Sequence, residues 1–167
     1  MMQKKVQIIS DGSLDLSQEL TKEKDIEVVP FYVSFDSETY QKEMVEVGVR
    51  EFYQEMVDHP TVFPKTSMPS VHDYYEVFEK HAKEQLPVIC ICITKKFSGS
   101  LQSATTAKDM ILEEYPDAQI TVIDSTVNTV LQGLYVLEAC RLRDMGLEYQ
   151  QIVDALLPIR ETGRIFF

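Results

Sequence analysis

Residues 87–115 read PVICICITKKFSGSLQSATTAKDMILEEY, and how this stretch divides decides the fold. PVICICI (87–93) is an apolar, β-favouring run with almost no polar interruption, the pattern of a strand covered on both faces of a parallel sheet. SGSLQSATTAKDMILEEY (98–115) follows a short polar turn and runs to helix length with no proline inside it. Together they make a strand, a turn and a helix, which is half of a crossover unit. Cys90 and Cys92 are two apart in the strand and so point to one face. Such a pair offers two metal ligands, but no second cysteine pair or closely spaced histidine pair completes a site. We read both as core residues.

Working outward, strands are expected at KVQIIS (5–10), IEVVPFYVSF (26–35), AQITVID (118–124) and the terminal RIFF (164–167). One helix is expected at 47–59, where Val49, Phe52, Tyr53 and Met56 share a stripe. Another is expected at 70–84, opened by Ser70 and Asp73 in capping-box spacing. Two more follow at 129–146, closed by Gly146, and at 147–163, which Pro158 should bend or end. His59, His72 and His81 lie in polar helical surroundings and are read as surface residues. Strands separated by helix-length segments imply an α/β fold, a mostly parallel sheet flanked by helices. Residues 1–163 fill this domain, and 164–167 read as the start of a truncated strand leading to an absent second lobe. A free apolar strand there would also favour self-association.

The 167 residues suffice for one domain with a sizeable core. Net charge is -11, from 16 basic and 27 acidic side chains. That balance argues against nucleic acid, because no surplus of lysine and arginine is there to displace counterions from phosphates. A small anionic ligand remains compatible, since exposed charges beyond about 10 Å are largely screened at physiological salt. No apolar window reaches the ~18 residues of a membrane span, and the N-terminal apolar run is too short for a signal peptide. Three cysteines fit a reduced compartment better than a disulfide framework. The expected location is cytoplasmic.

In an open α/β sheet, ligands collect beyond the carboxyl ends of the strands. Hydroxyls cluster at those places here. Asp11 and Ser13 follow the first strand, and Thr66, Ser67 and Ser70 precede the helix at 70–84. Ser98, Gly99 and Ser100 follow PVICICI, and Asp124, Ser125, Thr126 and Asn128 follow AQITVID. Helix capping, at ~1 kcal/mol, explains any one cluster taken alone. Their shared edge weakens that explanation, and Thr66, Ser67, Ser98, Gly99, Ser100, Ser13, Asp11 and Ser125 are the candidate ligand-binding residues. Ser98-Gly99-Ser100 is the strongest, because a glycine in the first turn opens the free amides of a helix N-terminus to a carboxylate or phosphate. GxGxxG, GxxxxGK[ST] and GxSxG motifs are all missing from the sequence. These residues suggest binding rather than turnover, with no cofactor and no metal. A metal-dependent enzyme on a phosphorylated small molecule, using Asp11 and Asp124, is the competing reading; a truncated remnant with no ligand is a third.

Four motifs stand in order: SDGSLDL (10–16), Thr66-Ser67-Met68-Pro69-Ser70, Ser98-Gly99-Ser100-Leu101-Gln102-Ser103-Ala104 and VIDSTVNTVLQGLYVLEACRL (122–142). Together they resemble the N-terminal part of the DegV family, whose bacterial members bind fatty acids, and the resemblance spans essentially the whole chain. It implies that Thr66 and Ser98 hold the carboxylate of a long-chain fatty acid while the acyl chain enters an apolar tunnel. It further implies a second lobe that covers the ligand and adds a basic or imidazole side chain to the head group. In some members a separate fatty acid kinase makes the acyl phosphate, so the implied role is that of a carrier. The pattern departs from the family's at Gly12, usually a serine, and at Leu131, commonly a glycine. Family chains also continue well past GRIFF (163–167). About fifteen methylenes of a palmitoyl chain contribute ~12 kcal/mol at about 0.8 each, against about 1–3 from head-group hydrogen bonds. The tunnel carries affinity and the hydroxyls carry orientation, so this chain alone is expected to bind fatty acid weakly or not at all.

Overall fold

A computed structural model describes residues 6–164. In chain order it runs through β1 (Gln7–Asp11), a 3-10 turn (Gly12–Leu14), α1 (Gln18–Glu23), β2 (Ile26–Val29), β3 (Tyr32–Ser34) and β4 (Gln41–Lys42). It continues with α2 (Val49–Asp58), β5 (Lys65–Ser67), α3 (Val71–Lys83), β6 (Val88–Cys92), α4 (Ser100–Glu114), β7 (Ile120–Asp124), α5 (Thr129–Asp144) and α6 (Tyr149–Ile159).

The strand expected at 87–93 is β6, and every one of its residues is buried. It pairs in parallel with β1 on one side and β7 on the other, and β1 pairs in parallel with β2. The sheet order is therefore β2-β1-β6-β7. Alternation sorts the strand's side chains between two cores. Ile89 and Ile91 join Ile8, Val136, Ala139 and Ile152 under α5 and α6. Val88, Cys90 and Cys92 join Tyr74, Phe78, Ala107 and Ile111 under α3 and α4. Each buried isoleucine contributes about 1.5–3 kcal/mol, which explains why a strand gripped on both faces carries no charged or strongly polar residue. The two cysteines are core residues, as their spacing suggested, and burial pushes the Cys90 thiol well above its usual range.

The strand expected at 26–35 is two strands in two sheets. Pro30 has no amide to donate to a ladder, so pairing with β1 stops at Val29. The chain then leaves the main sheet, and Tyr32–Ser34 becomes the middle strand of a small antiparallel sheet of order β4-β3-β5. Sequence periodicity also missed α1, β4 and β5, which are all too short to show a pattern.

Local signals fared better. Ser70 and Asp73 form the capping box of α3, α5 gives way to Gly146 at φ 88°, and α6 ends one residue after Pro158. The helix expected at 47–59 is α2, yet none of its residues is buried. His81 is not a surface residue as the sequence suggested. It lies on the sheet-facing stripe of α3, is buried, and meets Glu27 Oε2 through Nε2 at 2.6 Å. Residues 165–167 of the expected terminal strand lie outside the described residues.

Candidate functional site

The turns leaving β1, β6 and β7 share one edge of the sheet, since the three strands are parallel. Asp11 ends β1 and is fully buried there. Its Oδ2 accepts from Ser100 Oγ at 2.7 Å and from the Ile93 amide at 2.9 Å, and its Oδ1 accepts from Gln132 Nε2 at 2.8 Å. Ser100 gives its proton to Asp11, so Tyr74 donates its own across 2.6 Å to Ser100 Oγ. Gln132 also reaches Ser10 Oγ at 3.0 Å, and Ser10 donates to Ile91 O at 2.8 Å. Burial pushes the Asp11 carboxyl up, against hydrogen bonds from Gln132, Ser100, Ile93 and Ser13 that hold it down. This knot fastens β1 and β6 to α3, α4 and α5. Sequence reasoning singled out neither Tyr74 nor Gln132 as part of it. A polar residue inside VLQGLYV (130–136) was the available signal for Gln132.

The loop from β7 to α5 is likewise self-contained. Ser125 is buried and donates to Val127 O at 3.0 Å, and Ser13 Oγ accepts the Thr129 amide at 3.4 Å. Thr126 and Thr129 hold φ of 63° and 51°, uncommon for β-branched residues. Asp124 Oδ1 accepts the Thr126 amide at 2.9 Å and so closes a turn. Asp11 and Asp124 stand on strands separated by β6, and among the described residues no group of three His, Cys, Asp or Glu is arranged to hold a metal ion.

The other hydroxyls are wet. Thr66 and Ser67 pair by backbone with Val33 and Tyr32, and their side chains are exposed. Ser98 is half-buried and accepts the Ser100 amide at 3.2 Å. The Ser103 amide is bonded to Gly99 O at 3.1 Å, which leaves the Leu101 and Gln102 amides in the open first turn of α4. The two motifs meet at one contact. A Cβ on Gly99 would lie 2.5 Å from Met68 Sδ and 3.0 Å from Met68 Cε. The structure thus brings Met68, which follows Thr66 and Ser67, against Gly99, which stands between Ser98 and the Asp11-bonded Ser100.

The small sheet is moored to α3 through Asp73. Its Oδ1 accepts from Tyr32 Oη at 2.8 Å and pairs with Lys42 Nζ at 2.9 Å. Its Oδ2 accepts from the Ser70 amide at 2.8 Å and from Ser70 Oγ at 2.6 Å. Burial alone would raise this carboxyl, but the bonds from Ser70, Lys42 and Tyr32 prevail and hold it at about 2.

A groove of about 860 Å³ opens on the β2 side of the edge, walled by Leu14, Leu16, Val28, Val33, Phe52 and Tyr53. Neither Thr66 nor Ser98 lines it. Gly12, the first departure noted in the sequence, borders it, and a Cβ there would overlap Glu43 Oε1, which accepts the Phe31 amide at 3.1 Å. Burial raises the Glu43 carboxyl, Phe31 opposes this, and Asp11 and Asp15 raise it further. Leu131, the second departure, lies over Gly163.

A family model described as "Uncharacterised protein, DegV family" matches residues 5–167. The chain belongs to the DegV family. Among curated relatives, a DegV domain-containing protein from Clostridium acetobutylicum is 33% identical over 92% of this chain and 53% of its own. Among solved structures, a stearic-acid-binding protein from Eubacterium ventriosum matches with a TM-score of 0.86 and 46% identity, over 90% of this chain and 52% of its own. A DegV family protein from Thermus thermophilus, described by its fatty acid binding, matches with a TM-score of 0.77 and 29% identity, over 93% of this chain and 53% of its own. The chain spans about half the length of the curated relatives it matches. The DegV fold places the parallel sheet with its helices in this shared half. Among the described residues, no helix is long and apolar enough to cross a membrane.

Proposed function

We propose that this DegV chain seats the carboxylate of a long-chain fatty acid at the N-terminus of α4. The Leu101 and Gln102 amides and the hydroxyls of Thr66, Ser67 and Ser98 are the donors, an uncharged cradle reinforced by the helix dipole. Gly99 clears the approach, Asp11 and Ser100 fix the cradle from below, and Ser13 and Ser125 shape the adjoining turns. The observation that carries this reading is the meeting of the two hydroxyl motifs at Met68 and Gly99, beside the open amides. The fatty-acid-binding relatives, one of them 46% identical, support the ligand class.

The protein acts as a cytoplasmic carrier and not as a catalyst, presenting its acid to a separate fatty acid kinase. A second lobe, such as the relatives' greater length would supply, closes over the cradle and carries most of the acyl tunnel. Without that cover, exposed apolar surface at the rim, including Phe97 at 76% exposure, favours self-association. Native mass spectrometry of the protein with such a lobe in place, purified from bacterial cells, is expected to retain the mass of one palmitic or oleic acid, whereas the 167-residue chain alone is expected to hold it weakly or not at all. Calorimetry with palmitate is expected to show binding that Thr66→Ala and Ser98→Ala weaken. Retention of a phosphorylated metabolite, or magnesium-dependent turnover of one, would overturn the reading.

A further inference from the structure

We propose that Met68 is the gate on this carboxylate seat and sets which acids it admits by their substitution next to the head group. The inference rests on the fatty acid reading above. Gly99 has an ordinary φ of -78°, so its backbone does not call for glycine. Among the described residues, and apart from its chain neighbours, what a Cβ there would meet within 4 Å is Met68, through its Sδ and Cε. Met68 is itself 44% exposed, while the next residue, Pro69, is buried and fixes where the thioether starts. A carboxylate accepting from Leu101 and Gln102 brings its second and third carbons past Gly99, and Met68 is the side chain standing there.

Methionine suits such a place because it is unbranched and turns about three bonds. It swings off Gly99 to admit a straight methylene chain and then packs along it as the first wall of the channel. A branch at the second carbon competes for the space the thioether needs. The gate therefore discriminates by shape and leaves the charge of the head group to the amides and hydroxyls.

The test uses the chain with carbon-13 in its methionine methyls and nitrogen-15 in its amides, titrated with decanoate and 2-methyldecanoate, so that weak binding is still read by NMR. Decanoate is expected to shift the Met68 methyl most among the 7 methionines, together with the Leu101 and Gln102 amides. Wild type should prefer decanoate by about ten-fold, the size of effect one methyl group has in a fitted pocket. Met68→Ala should cut that preference to about two-fold, and Met68→Ile, stiff at its first side-chain torsion, should raise it above wild type. If decanoate moves Leu101 and Gln102 but the preference is the same in all three proteins, the gate is overturned and the carboxylate seat stands. If decanoate moves neither those amides nor the Met68 methyl in wild type, both fall.

Discussion

The end of β1 and the end of β5 both carry hydroxyl side chains and have opposite fates. At β1, Asp11, Ser10 and Ser100 are sealed from solvent, Ser100 donating to Asp11 and Ser10 donating to Ile91 O. At β5, Thr66 and Ser67 face water. A hydroxyl or carboxylate at the edge of a sheet is thus spent on structure where its partners are inside and left free where it meets water, and burial, not residue type, separates the two fates here.

The sharpest way to break the comparison is Asp11→Ala. It leaves the Ser100 hydroxyl, the Ile93 amide and the Gln132 side chain without their acceptor, at about 1–3 kcal/mol for each stranded donor. Chemical denaturation should show a loss of at least about 3 kcal/mol, and a loss under about 1 would mean that the knot does not hold the fold. Next in size is the acid response of Asp73. Its folded carboxyl titrates at about 2, against 3.8 when unpaired. The native state keeps the charge where the unfolded state loses it, so the contribution is complete above roughly pH 5 and vanishes as pH falls through about 2. It amounts to about 2 kcal/mol, and Asp73→Asn should remove that part of the acid-limb slope in stability-versus-pH curves. Smallest in stability are Thr66→Ala and Ser98→Ala, each within about 0.5 kcal/mol of wild type on unfolding. Their effect belongs to palmitate binding, where a lost head-group bond should cost about five- to thirty-fold in calorimetry. A large unfolding effect for either would move it into the structural class with Asp11.

Much of the fold was legible because its signals are local. β6 announces itself by an apolar run, α3 by Ser70 and Asp73 three residues apart, and α6 by its terminal Pro158. The division of 26–35 was legible only in Pro30, which the surrounding β-rich run outvoted. Lys65–Ser67 reads as a turn, and only pairing with β3 makes it a strand. His81 looked polar and exposed because Glu27, its partner, is 54 residues away in the sequence. The site divides the same way. Its hydroxyls were visible, but the fate of Asp11 was not, since Ser100 and Gln132 lie 89 and 121 residues along the chain. Spacing reveals caps and turns, whereas a buried knot exists only after folding.

Pro30 has a lasting effect. By diverting the chain into a separate ribbon, it puts Thr66 and Ser67 on a mount distinct from the one that carries Ser98, with Asp73 and the Met68 thioether among the contacts that join the two. On the function proposed above, drift in β3, β4 or β5 would retune the head-group seat while the parallel sheet beneath stays as it is.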